Sequence, residues 1–386
     1  MSQFPSKAAT DTNLLGKVYL VGGPVRDQLL DLKAHDRDWL VVGATPEQMK
    51  AAGFVQVGKD FPVFLHPVSK EEYALARTER KSGKGYQGFV CHTSPDVSLE
   101  EDLMRRDFTV NAMALDKEGV LHDPYNGLKD LEARVLRHVS PAFAEDPLRV
   151  LRGARFLARL HYLGFSFADE TLSLMRHLVE TGELEHLSAE RVWSETERAI
   201  GEKSPEQYFL TLKQVQGLDY WFTEFTGFTG FTEESLFELP CFLKESSSAT
   251  SLHRWAWMLH HLDTGDIESL CSRLKAPRRY LDLARLVQTF WSLLNTSPVK
   301  DSALCLRLLE RAGAFKQGGL FEDWLVLWSP KYQETKAWWQ DLARALAGVT
   351  AASFVTQGLK GPAIGAAIKV QRLEVIEEAL HGLDRN

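Results

Sequence analysis

The hydrophobic period of the chain changes near residue 140, and this change constrains the fold more than any other feature. Upstream, short β-type runs crowd together: KVYLVGG (17–23), WLVVGA (39–44), FVQVGK (54–59), PVFLHP (62–67) and EEYALARTE (71–79). Runs of this length, bounded by Gly, Pro and charged residues, predict strands. PVRDQLLDL predicts a helix opened by Pro24, where a missing N–H costs nothing. SLEEDLMRRDF predicts another, with Ser98 and Glu101 at capping-box spacing. From about residue 141 the period is helical, through EDPLRVLRGARFLARLHYLGF, DETLSLMRHLVETG and AERVWSETERAIGE to RLEVIEEALHGL, with no convincing strand. The expected class is therefore α+β: a head with a small mixed or antiparallel sheet, then an all-α remainder. The expected boundaries are a loose extension over 1–16, the head over 17–140, a helical neck over 141–220, and a helical body and tail over 221–386. The FT-G repeat in WFTEFTGFTGFTEESLFELP (221–240) is too short for a solenoid and is expected to be an irregular connector.

Composition narrows the chemistry. The 386 residues suffice for two or three packed units, and a formal net charge of −7 argues against a surface that is basic throughout. Any nucleic-acid partner must then meet a local basic surface. Cys91, Cys241, Cys271 and Cys305 stand far apart, without CxxC or short His/Cys spacing, so neither zinc nor a disulfide framework is expected. MSQFPSKAATDTNLLGK has no apolar signal core and no run approaches the length of a membrane span, so a cytoplasmic protein with no membrane partner is expected.

The segment VGGPVRDQLLDLKAHDRDWLVVG (21–43) concentrates the candidate chemistry. Asp36 and Asp38, two apart at the start of a strand, project to one face. Their carboxylates repel strongly there unless a divalent cation lies between them. A lone DxD is more often a pair of solvated loop acids, and the neighbouring glycines change the balance. Gly22 and Gly23 end a strand and precede a helix, so backbone N–H groups can face a triphosphate, and Arg26 on the first turn can add charge-assisted bonds. Neither GxxxxGK[ST] nor GxGxxG is present. A triphosphate cradle beside a paired-Asp metal site suits metal-assisted nucleotidyl transfer.

These residues resemble the first motif of the class II tRNA nucleotidyltransferases, the CCA-adding enzymes, and of their relatives the bacterial poly(A) polymerases. The later motifs follow in order. RRDFTVNAMA (105–114) is similar to the second, DPYNGLKDLEARVLRH (123–138) to the third, EDPLRVLRGARF (145–156) to the nucleotide-selecting motif, and LSAERVWSETERA (187–199) to the fifth. RTERKSGKGYQGF (77–89) resembles the loop with which such enzymes switch from adding C to adding A; taken alone it would be a surface hairpin. The resemblance implies a polymerase-β-like head, Mg²⁺ at Asp36 and Asp38, tRNA, CTP and ATP as partners, and Arg106 as a triphosphate or ribose contact. Asp107 and Asn111 would organise the site. Asp107 and Asp123 compete as a third metal ligand, and neither is assigned.

The fourth motif also has a reading from its residues. Asp146, Arg149, Arg152 and Arg155 recur every third residue, a spacing that lays a stripe along one side of a helix. An isolated stripe of this kind is usually a solvated basic face. Here an acid heads it, and cytosine and adenine each offer an exocyclic amino donor beside a ring-nitrogen acceptor. Asp146 would accept from the first and Arg149 donate to the second. Guanine and uracil present the opposite pattern and would leave charged groups unpaired. Arg152 and Arg155 would stack on the base or bind phosphate.

RWAWMLHHLDTGD (254–266) carries His260-His261 where phosphohydrolase-bearing relatives place a His-Asp doublet. No outlying His/Asp set accompanies it, so no phosphohydrolase site is expected and the histidines are read as packing residues. Most of the ten tryptophans are likewise expected in helical cores. QGLKGPAIGAAIKVQRLEVIEEAL resembles the tail ending of these enzymes, with Gly361 and Gly365 allowing close approach of RNA and Lys360, Lys369 and Arg372 offering phosphate contacts. The leading expectation is addition of C, C and A to the tRNA 3′ end without a nucleic-acid template. The alternatives are a poly(A) polymerase or A-adding specialist, or a noncatalytic RNA-binding relative.

Overall fold

Strand β1 (Lys17–Val21) buries its last three residues and runs antiparallel to β2 (Asp38–Val42), with Lys17 opposite Val42 and Leu20 opposite Trp39. Between them the chain turns at Gly22 into helix α1 (Gly23–Leu29), which has Pro24 in its first turn as expected. These elements belong to a computed structural model that describes residues 16–33, 37–57, 63–81, 89–226, 239–294 and 301–383. Helix α2 (Pro46–Ala51) then leads to β3 (Val55–Val57), β4 (Val63–Leu65) and β5 (Glu72–Leu75). With β8 (Ala114–Leu115) and β9 (Leu121–His122) they form a seven-stranded sheet in the order β3-β4-β5-β2-β1-β8-β9. Only the β2–β5 pair is parallel, which makes the sheet mixed, as expected for the head.

The EEYALARTE run divides at Ala76. Its N–H still bonds the Val41 carbonyl at 2.9 Å, after which β6 (Arg77–Lys81) leaves the main sheet to pair with β7 (Phe89–Thr93). The tip of this hairpin, where the loop resemblance is concentrated, lies outside the described residues. Tyr19, Val21 and Leu40 face Val97, Leu99 and Leu103 in one buried cluster, so helix α3 (Leu99–Met104) covers a face of the sheet. Both bonds of the Ser98/Glu101 capping box are made.

A 3₁₀ turn (Thr109–Asn111) and helix α4 (Gly127–Glu132) pack so closely that a Cβ at Gly127 would lie 2.2 Å from the Thr109 carbonyl oxygen. One expectation needs correction beyond residue 141: Ser166–Phe167 forms a short strand, β11, parallel to β10 (Val135–Leu136). Two residues carry no readable period, and the buried Leu136 and Phe167 place the pair instead. Helix α5 (Leu148–Leu160) packs on α7 (Ala189–Gly201) and α8 (Glu206–Gln214), while α6 (Asp169–Glu180) follows β11.

The chain divides into two compact units, residues 1–220 and 221–386. In the second, the helix Ser251–Met258 packs on Arg278–Thr289, and the helix Pro362–Leu383 packs on Ser302–Arg311. Trp255, Trp324 and Trp339 are fully buried, as the spacing of apolar residues predicted for most tryptophans. Among the described residues no helix is long and apolar enough to cross a membrane.

Candidate active site

The site begins at a residue that only glycine fills comfortably. Gly22 has φ +73°, and a Cβ there would lie 2.7 Å from Arg106 Nη1. Its N–H bonds the Met113 carbonyl at 3.2 Å, and its carbonyl accepts the Arg26 N–H at 3.1 Å. The strand therefore stops and α1 starts within one residue, which leaves the backbone of Gly22 and Gly23 lining a cavity. That cavity has a volume of about 670 Å³.

Gly22, Gly23, Arg26, Asp38, Arg106, Asp146, Arg149, Arg152 and Arg155 all line it. Asp36 lies outside the described residues. Ten arginines face the cavity against four aspartates and one glutamate, so it is strongly electropositive in a chain that is acidic overall.

The arginines are held by carboxylates and carbonyls from other elements. Arg26 is 2% exposed; it donates through Nε (2.9 Å) and Nη2 (2.7 Å) to Asp27 Oδ1 and through Nη1 to Asn111 Oδ1 (2.6 Å), and it lies over the Phe156 ring. Burial lowers its pKa from the ordinary arginine value, with Asp27 opposing. Arg106 donates to Asp102 Oδ2 at 3.3 Å and to the Asn111 carbonyl at 3.4 Å. Asp102, fully buried, also accepts from Arg105 and from the Arg77 N–H at the root of the hairpin.

On α5 the arginines follow the expected three-residue spacing. Arg149 donates to the carbonyls of Ala142 (2.9 Å) and Arg105. Arg152 donates through Nε and Nη2 to Asp107 Oδ2 at 3.0 and 2.7 Å, and Arg155 donates to Glu195 Oε2 at 2.6 Å. The row continues to Arg159, which donates to Asp27 Oδ2 at 2.7 Å. Asp146 is not on the helix, contrary to the stripe expectation. It precedes Pro147, which disfavours the helical region for it, and adopts φ −116°, ψ 105°. Asp146 Oδ1 accepts the Leu148 N–H at 3.1 Å and Oδ2 accepts Arg191 Nη2 at 2.9 Å.

The two contenders for a third metal ligand are both engaged elsewhere. Asp107 accepts from Arg152, from Asn111 Nδ2 (2.9 Å) and from the Phe108 N–H (2.9 Å). Burial is the largest single influence and disfavours its charge, but the Arg152 guanidinium, the Asn111 amide and Arg149 together outweigh it and hold the carboxyl far below the ordinary range. Asp123 accepts the N–H groups of Gly127 and Leu128 at 2.7 and 2.9 Å, capping α4. A carboxylate not singled out from the sequence stands beside Asp38: Glu72 is in register with it across the parallel β2–β5 pair, and both are exposed and line the cavity. Among the described residues no group of three or more His, Cys, Asp and Glu is placed to hold a metal.

Sequence spacing also missed Asp27, Asp102, Arg159, Arg191 and Glu195. Only Arg159 had a local signal, as a further arginine one helical turn beyond Arg155 on α5.

In the second unit, His260 and His261 are half-buried in the turn after Met258, and the His260 ring stacks on Trp291 with centroids 3.4 Å apart. Burial pushes the His260 pKa down to about 4. Of the tail residues, Lys360 and Lys369 are exposed, while Arg372 is half-buried over the Phe315 ring at 4.0 Å.

Comparison with known proteins agrees with this layout. Residues 18–137 match the poly A polymerase head domain, and residues 164–228 match a probable RNA- and SrmB-binding site of polymerase A. A CCA-adding enzyme of Alteromonas mediterranea is 45% identical over 393 aligned positions, covering 93% of this chain and 98% of that protein. The fold is shared with a Bacillus stearothermophilus CCA-adding enzyme in complex with CTP (TM-score 0.67, 23% identity, 94% of this chain and 89% of that one). It is also shared with a Thermotoga maritima CCA-adding enzyme complexed with tRNA (TM-score 0.61, 22% identity, 99% and 97%). With a relative 45% identical over nearly the whole length of both chains, and the polymerase head matched from residue 18 to 137 through the glycine turn, the chain belongs to the CCA-adding enzyme family.

Proposed function

We propose that this protein is a CCA-adding tRNA nucleotidyltransferase, which extends the tRNA 3′ end by C, C and A from CTP and ATP and takes its instruction from side chains. The observation that carries this reading is one cavity that joins the glycine turn and its arginines to the Asp146/Arg149 edge.

The Gly22–Gly23 backbone, Arg26 and Arg106 hold the triphosphate, and Arg152 and Arg155 extend the positive field beside it. Arginine suits this task because its charge persists at every physiological pH and its planar fork matches phosphate oxygens. Asp146 accepts from the exocyclic amino group of cytosine or adenine, and Arg149 donates to the adjacent ring nitrogen. Each Asp146 oxygen already accepts one bond and has a lone pair for another. Arg191 holds this carboxylate in place beside the base.

Asp36 and Asp38, joined by Glu72 on the neighbouring strand, are the residues that would hold Mg²⁺, which supplies charge neutralisation between the attacking and leaving oxygens. The tRNA 3′-hydroxyl oxygen forms a bond to the α-phosphorus and gives up its proton, while the bond from that phosphorus to the bridging oxygen breaks and pyrophosphate leaves. The local basic surface holds the tRNA end mainly by phosphate contacts, which suits an acidic chain acting on RNA.

The test is incubation of the purified protein and Mg²⁺ with tRNA lacking its CCA end and with each labelled nucleotide. Two C and one A are expected per tRNA, with incorporation lost in Asp38→Ala. Long A tails would favour a poly(A) polymerase, and no incorporation would favour a noncatalytic RNA-binding protein.

A further inference from the structure

Asp27 is 4% exposed, and its two oxygens serve different parts of the cavity. Oδ1 accepts both bonds from Arg26, whose Nη2 lies 3.6 Å from where a Gly23 Cβ would be, directly beneath the glycine turn. Oδ2 accepts from Arg159, on the helix that also carries Arg149, Arg152 and Arg155. Neighbouring residues on a helix do not ordinarily face each other. Arg26 nevertheless curls back to Asp27 because Asn111 holds its other nitrogen and Phe156 lies against its face. One buried carboxylate thus joins the turn beside the triphosphate to the helix beside the base. Loss of its charge would leave Arg26 buried with a weakened counter-charge.

We propose that Asp27 is a positioning residue that, through Arg159, fixes the distance between the triphosphate-holding turn and the base-reading helix and so sharpens nucleotide selection. This rests on the CCA-adding reading. A triphosphate bound at a turn that is no longer tied to α5 presents its base out of register with Asp146 and Arg149. Cytosine and uracil then differ less in how well they are held. The ion pair acts on discrimination more than on binding as such.

The experiment compares kcat/KM for CTP and UTP on tRNA lacking CCA in wild type, Asp27→Asn, Arg159→Gln, Arg159→Lys and the double variant D27N/R159Q. Arg159→Gln is expected to lower the CTP-to-UTP preference by about tenfold while raising the CTP KM by roughly threefold or less, a size usual for partners in one ion-pair network. Arg159→Lys, which keeps the charge, restores most of the preference. The double variant selects no worse than Asp27→Asn alone. Arg159→Gln with wild-type preference, or losses that multiply in the double variant, would overturn the proposal; so would a lowered melting temperature with selection intact. If wild type adds no nucleotide, the functional reading fails separately. The link is then judged by CTP affinity, which must show the same non-additivity between Asp27→Asn and Arg159→Gln.

Discussion

Gly22 combines a left-handed backbone with a guanidinium 2.7 Å from the position of a Cβ, so any side chain there meets two obstacles at once. The backbone term alone costs about 1–2 kcal/mol. Gly22→Ala is therefore expected to weaken CTP binding by about 5- to 30-fold, measured by calorimetric titration; unchanged affinity would count against the turn as the triphosphate cradle. Asp107 offers a test in pH. Its folded-state pKa lies below the unfolded value of about 3.9, so its contribution is complete above about pH 4 and drains as pH falls through the lower folded value. Asp107→Asn should cost about 2 kcal/mol at neutral pH. In urea melts, the gap from wild type should hold steady from pH 8 to 5 and narrow below 4. A gap that stayed constant into acid would mean that the Arg152 pair is not what Asp107 contributes.

At the scale of elements, the third motif supports the second through contact. Gly127 opens α4 against the Thr109 carbonyl, and the same 3₁₀ turn carries Asn111, which bonds Arg26 and Asp107. A methyl at Gly127 has no room, and overpacking of this kind costs about 1–3 kcal/mol. Gly127→Ala should lower the melting temperature and raise the KM for both CTP and ATP, because Asn111 shifts with the turn; a change in stability alone would show that the turn moves independently of the site. Elements of this head were legible because their signals are local. Pro24 opened α1, Ser98 and Glu101 boxed α3, and β-type runs marked five of the seven sheet strands, all but the two-residue β8 and β9. The β10–β11 pair was not legible, since two residues have no period, nor was the split of EEYALARTE at Ala76, where the strand changes sheets without a turn residue. The candidate site divides in the same way. Arg26, Asp38 and the arginine row announce themselves by spacing, whereas Asp27 and Arg159 meet from 132 positions apart and Glu72 is placed by strand register.

For the whole molecule, the proposed function asks an acidic chain to bind an acidic polymer, which confined basic charge would allow. Ten arginines share one cavity of the first unit. Affinity for tRNA should therefore fall steeply with salt, and filter binding across a salt series should give a shallower slope for Arg106→Ala than for wild type; equal slopes would place the phosphate contacts elsewhere. In the second unit His260 stacks on Trp291, and His261 lies against the His260 ring. No hydrolysis of 2′,3′-cyclic nucleotides is expected with added nickel or manganese, and turnover there would contradict the packing role.

If side chains choose the base, the sequence of the product end reads that choice. Wild type and Asp146→Ala are each given tRNA lacking CCA with all four nucleotides at equal concentration, and the extended 3′ ends are sequenced. Wild-type ends should read C, C, A, and those of the active variant should carry U and G at least about tenfold more often. An active Asp146→Ala enzyme whose ends still read C, C, A would contradict the account.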